Sequence, residues 1–238
     1  MTEIAHPEKD LSCRLDVIYE DDLLFAVNKP AWWVVHRGLA TDRVTLVDVL
    51  KEQYSSAEIF PVHRLDRQTS GVLLFARSAQ SAREFQRLFE EGQVQKKYIA
   101  LVRGTAPAEG VIDSPVPKTE GGERVPAITT FSRIAIGGTL PRETSLLAAF
   151  PRTGRFHQIR RHMKHINHPI IGDANYGKGQ LNRSFREGYQ LNRMALHAVS
   201  LAFRHPQSGK QTVITAGIPS DLAAPLQQMG YDLSVLQL

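Results

Sequence analysis

The chain has 238 residues, 42% hydrophobic and 22% charged, with a net charge of +5 and a pI near 9.4. It is long enough to bury a core without metals or disulfides, and its single cysteine, Cys13, excludes an internal disulfide and a multi-cysteine zinc site. No apolar run has the length of a membrane span, and Met1 to Leu11, with Glu3, Glu8, Lys9 and Asp10, do not read as a signal peptide.

The reading in chain order starts with a loose tail over 1–15, in a protein expected in the cytoplasm. Asp16 to Asn28 reads as strand, acidic turn (Glu20-Asp21-Asp22) and strand. Lys29 to Ala40 is a loop opened by Pro30. Thr45, with Asp48 three residues on, predicts a capped helix to about Gln53. His63 to Gly71 is a polar loop, and Val72 to Ala76 is a buried strand. Ser78 caps a helix to Glu91, with Ala82, Phe85, Leu88 and Phe89 as its apolar stripe and Gly92 as its stop.

Lys97 to Val102 is the next strand, and Gly110 to Pro126 is turn-rich. Further strands are expected at Ala127–Ile136, Ser145–Phe150, Ala195–Phe203 and Gln211–Ala216, the last two joined by a hairpin turn at His205 to Gly209. A final helix follows Ser220. Strands outnumber helices without βαβ alternation, so the expected class is α+β, with a central mostly antiparallel or mixed sheet flanked by helices and loops. No linker divides 16–238, which predicts one catalytic domain. The 15 residues before Asp16 are too few for a separate N-terminal RNA-binding domain, so none is expected.

Charge is unevenly distributed. Pro151 to Gly172 carries Arg152, Arg155, Arg160, Arg161 and Lys164 with four histidines and no acid. Such a run is either a solvated helix face or a surface for an anionic partner, and uncompensated repulsion favours the partner. If Phe156 to Ile166 is a helix, Phe156, Ile159, Met163 and Ile166 form its buried stripe. His157, Arg161 and Lys164 then face outward, with Arg160 at the border.

The densest chemistry lies in His63-Arg64-Leu65-Asp66-Arg67-Gln68-Thr69-Ser70-Gly71. Flanking arginines keep Asp66 ionised, which suits a nucleophile or base. A surface turn with an ordinary salt bridge fits the local composition as well. A hydrolytic pair of His63 and Asp66 is a third reading, without a nucleophile elbow or metal-binding helix to support it.

This string resembles the signature of the RluA family of RNA pseudouridine synthases, His-Arg-Leu-Asp-x-x-Thr-Ser-Gly. Gln95-Lys96-Lys97-Tyr98-Ile99-Ala100 is similar to the family's Lys-x-Tyr-x-Ala strand. Arg152 to Arg160 is similar to its Thr-Gly-Arg-x-His-Gln-(Leu/Ile)-Arg segment, and His168-Pro169-Ile170-Ile171-Gly172-Asp173 follows it. With Val27-Asn28-Lys29-Pro30 and Val35-His36, the likeness spans about Asp16 to Ile218.

The resemblance implies a cofactor-free, metal-free isomerase that turns a uridine of structured RNA into pseudouridine. It implies Asp66 as the essential carboxylate (nucleophile or base), Tyr98 stacked on the uracil, and Arg160 as ionic partner of Asp66. Arg64 would fill the gap left by a flipped base. His63, Arg67, Arg155, His157, Arg161, Lys164 and Trp32 are expected to touch RNA. Trp32 stands where the family has Gly.

The likeness leans toward members acting on the T stem of tRNA, at position 65 in the RNA's numbering, through Val34 to Arg37, Arg160-Arg161-His162, Asn182-Arg183 and Arg193 to Ala198. A ribosomal RNA target is the alternative, and a non-catalytic RNA-binding protein a further one. A monomer without membrane attachment is expected.

Overall fold

The computed structural model describes residues 10–36, 42–55, 58–138 and 141–236. The expected tail at 1–9 and Arg37 of the tRNA-leaning motif lie outside them. The chain divides into two compact units, residues 1–94 with 201–217, and 95–200 with 218–238.

The first unit holds strands β1 (Val17–Glu20) and β2 (Leu24–Lys29), helix α1 (Leu46–Gln53), β3 (Phe60–Pro61), β4 (Ser70–Ala76) and helix α2 (Ala79–Glu90). β1 pairs antiparallel with β2 and β2 with β4, with Lys29 opposite Gly71. The acidic turn closes because Asp21 Oδ1 accepts the backbone N–H groups of Leu23 and Leu24 at 2.8 and 2.9 Å. Thr45 and Asp48 form the expected capping box on α1. Ser78 caps α2 by accepting from Ser81, and Gly92 leaves the helix at φ +71°. The core joins Val72 and Leu74 of β4 and Phe85 of α2 to Leu201, Phe203, Ile214 and Ala216, which arrive much later in sequence.

The second unit holds β5 (Gln95–Arg103), β6 (Glu109–Asp113), β7 (Val116–Pro117), β8 (Arg124–Val125), β9 (Ile128–Gly137), β10 (Thr144–Pro151), α3 (Gln158–His165) and α4 (Gly179–Tyr189). β11 (Leu196–Arg204) begins here and ends in the first unit, where β12 (Gln211–Thr215) follows; α5 (Ser220–Gln228) belongs to the second. β10 lies between β5 and β9, and β6 pairs with β9, all antiparallel. These strands with their flanking helices make the α+β class expected.

Four expectations are corrected. The turn-rich stretch 110–126 contains most of β6 and the small β7–β8 hairpin. α3 is shorter than Phe156–Ile166, because His157 stands before its first turn at φ +54°. Its buried face carries Gln158, Arg160 and His162 beside Ile159 and Met163, whereas Phe156 and Ile166 are half-buried. α4 was not foreseen: Lys178 gives it no side-chain cap, Gly179 opens it, and Phe185 is its one buried side chain.

Candidate active-site residues and the family of the chain

In the first unit the Asp66 loop is clamped through its main chain. Lys29 is fully buried at the end of β2. Its ammonium donates to the carbonyls of Thr69 at 2.8 Å, Pro30 at 2.9 Å and Arg67 at 3.1 Å. Three N–H groups thus meet three acceptors drawn from the two loops beside the β2–β4 pair. The amide of Thr69 donates to the carbonyl of Asp66 at 3.0 Å, closing the turn. Gly71 leaves it at φ +116°, a conformation that favours glycine.

Buried Leu65 anchors the loop and Asp66 is half-buried. Arg64 is exposed. Arg67 forms an ion pair with Asp42. His63 accepts the amide of Leu74 through Nε2 at 3.1 Å and stacks on Phe89 at 4.6 Å, so its ring is tied to the scaffold. Trp32 sits at φ +71°, the left-handed region that favours glycine, and is half-buried. An aromatic residue there costs backbone energy on the order of 1–2 kcal/mol.

In the second unit Arg160 is held through its side chain. Its Nε and one terminal nitrogen donate to the two oxygens of Asp173 at 2.8 and 2.9 Å. Asp173 is fully buried and also accepts the amides of Asn175 and Tyr176. A bidentate pair with further hydrogen bonds is what lets two charges be buried together. The ring of Tyr176 lies 5.1 Å from the guanidinium carbons of both Arg160 and Arg161. Gly172 sets Asp173 in place: a Cβ there would lie 2.0 Å from the carbonyl oxygen of Arg193. Asn182 of α4 accepts the amide of Gly172 at 3.0 Å and donates to the carbonyl of Asp173 at 2.9 Å.

Gln158 ties the loop before α3 to β9. Its Oε1 accepts from Thr153 Oγ1 at 2.6 Å and the amide of Arg155 at 3.1 Å, and its Nε2 donates to Ile128 O and Thr129 Oγ1. The His162 ring lies 2.8 Å from the Ser114 carbonyl through Nε2 and 2.9 Å from Thr129 Oγ1 through Nδ1. A carbonyl only accepts, so Nε2 carries the proton; burial holds the ring below the usual imidazole pKa. Tyr98 is half-buried on β5, opposite Ala149. Arg155, His157 and Arg161 are half-buried and Lys164 is exposed.

The expected site residues therefore fall in both units: Asp66, Arg64, His63, Arg67 and Trp32 in the first, Tyr98, Arg155, His157, Arg160, Arg161 and Lys164 in the second. Lys29, Asp173, Tyr176 and Gln158 were missed as positioning residues. Lys29, Gln158 and Asp173 lie inside segments similar to the family's motifs, but nothing in a sequence reveals a partner. Among the described residues no group of three histidine, cysteine or acidic side chains could hold a metal ion, and no helix is long and apolar enough to cross a membrane.

An α+β chain with an arginine-flanked carboxylate loop and a buried arginine–aspartate pair has the parts of an RNA-modifying isomerase. The family model described as RNA pseudouridylate synthase matches residues 23–165. The tRNA pseudouridine synthase C of Vibrio cholerae is 37% identical over 241 residues, covering 93% of this chain and 98% of that protein. The protein of that name from Haemophilus ducreyi is 39% identical over 235 residues, covering 91% and 96%. The solved structure of human RNA Pseudouridylate Synthase Domain Containing 1 superposes with a TM-score of 0.72 at 27% identity, covering 90% of this chain and 87% of that one. The chain belongs to the RNA pseudouridylate synthase family, in its RluA branch, and is an RNA pseudouridine synthase.

Proposed function

We propose that the chain isomerises a uridine of tRNA, in the T stem at position 65 of the RNA's numbering, with Asp66 as the essential carboxylate. The observation that carries the assignment of Asp66 is the Lys29 clamp, which ties the main chain just after Asp66, at Arg67 and Thr69, to the neighbouring loop at Pro30. Relatives named tRNA pseudouridine synthase C, alike over nearly the whole chain, favour tRNA over ribosomal RNA. One catalytic domain built from both units is part of this reading, since its residues come from each.

A stacked base must first leave the helix, and Arg64, exposed on the loop, fills the gap it leaves. The N1–C1′ bond then breaks while ionised Asp66 stabilises the sugar or takes its proton. The base turns above Tyr98, C5 bonds to C1′, the C5 proton is released, and N1 takes up a proton, so the isomerisation loses no atom. Asp173 fixes Arg160, and a guanidinium has donors beyond the two that Asp173 engages, so Arg160 can also serve as ionic partner of Asp66. Trp32, Arg67, Arg155, His157, Arg161 and Lys164 are assigned to RNA, chiefly phosphate, contacts. His63 supports the loop from behind.

Asp66→Asn keeps shape and removes charge. It is expected to lower turnover on a tRNA transcript by at least ~10³-fold while RNA affinity changes less than about threefold. Turnover near that of the unaltered enzyme removes Asp66 from the mechanism. Mapping pseudouridine in RNA from cells with and without the gene tests the target: a lost T-stem signal supports this reading, and a lost ribosomal signal replaces the substrate.

A further inference from the structure

Lys96 is the buried cation that the mechanism above does not use. It lies on β5, only 7% exposed. Among the described residues its ammonium has one hydrogen bond, to the carbonyl oxygen of Thr153 at 3.2 Å. Among the described residues no carboxylate pairs with it. The charge it meets is another cation, Arg155, whose own Nε is buried without a hydrogen-bond partner. Burial first, and Arg155 second, push Lys96 down to about 8. A buried lysine beside a half-buried arginine, with no counter-charge among the described residues, is costly to a protein that gains nothing from it. The segment that supplies Arg155 holds no acid from Pro151 to Gly172, so it brings no counter-charge of its own.

We propose that Lys96 and Arg155 form a seat for one backbone phosphate of the substrate RNA, an inference that rests on the RNA-isomerase reading. The strand gives the location. Lys96 and Tyr98 are two residues apart on β5 and so project from the same face, about 7 Å apart along it. That is the scale of one nucleotide, so a phosphate at Lys96 belongs to the uridine stacked on Tyr98 or to its neighbour. Gln158 holds the Thr153–Arg155 loop to β9, which presets the seat. The seat reads no base; it fixes where along the backbone the flipped nucleotide comes to rest.

The test is Lys96→Gln beside Lys96→Arg, with an unmodified tRNA transcript as probe. Affinity is measured across a salt series, each protein is melted without RNA, and pseudouridine formation is followed on the same samples. Lys96→Gln keeps a donor for Thr153 and loses the charge. It is expected to bind RNA several-fold more weakly, to lower the slope of log affinity against log salt by about 1, and to melt no lower than the unaltered enzyme. Lys96→Arg keeps the slope. If Lys96 is only a tie to Thr153, which Gln can replace, Lys96→Gln leaves the salt slope and the affinity unchanged, and the seat is overturned. An unaltered enzyme that forms pseudouridine beside an unchanged slope removes the seat alone; one that forms none on any RNA removes the reading beneath it.

Discussion

The Asp66 loop and the start of α3 solve the same problem in opposite ways. Each holds a charged group steady. In the first, a buried lysine grips main-chain carbonyls just after Asp66, so the loop is fixed by atoms every residue has. In the second, Arg160 is gripped by its own head group, through a carboxylate that is completely buried. Main-chain clamping tolerates change in the side chain it presents. Side-chain clamping does not, because losing one partner strands the other charge.

Three substitutions probe this contrast. Asp173→Asn attacks the side-chain clamp and should have the largest effect, lowering unfolding free energy by about 3–5 kcal/mol and kcat with it. Denaturant titration and single-turnover assays read both; a loss of less than about 1 kcal/mol would mean that Arg160 finds other support.

Lys29→Met attacks the main-chain clamp. It leaves carbonyl oxygens of Pro30, Arg67 and Thr69 without this donor, at about 1–3 kcal/mol for each that water cannot reach. The expected net loss is about 2–4 kcal/mol, with kcat falling more than RNA affinity. An unchanged kcat in the folded variant would show that Asp66 does not depend on the clamp.

Trp32→Gly tests the neighbouring loop and should have the smallest effect on stability. Relief at φ +71° offsets lost burial, so stability should move by less than about 1 kcal/mol while RNA affinity drops several-fold. A clear rise in stability with unaltered affinity would leave Trp32 without a part in binding.

Much of this architecture could be read before folding was considered. Thr45 and Ser78 announce helices because capping is local chemistry, settled within four residues. The carboxylate loop stands out because its arginines are adjacent in sequence. What stayed hidden depends on tertiary partners. Patterning assigns every lysine to the surface, so Lys29 and Lys96 pass unnoticed, although both are buried. The periodicity of α3 misleads because His162 is buried by virtue of Ser114 and Thr129, residues 48 and 33 positions away. α4 has no side-chain cap at its start, and its stripe is a thin one of Leu181, Phe185 and Tyr189 among polar residues, while Asn182 ties it to Gly172 and Asp173.

The interleaving of the units has a consequence for synthesis. A nascent chain that has reached Val94 carries every helix of the first unit and four of its strands, yet lacks Leu201, Phe203, Ile214 and Ala216 of its core. That unit cannot close as it leaves the ribosome. It must wait with Val72, Leu74 and Phe85 uncovered until more than a hundred further residues have been added. The first unit therefore closes only after residues 95–200 of the second have been made.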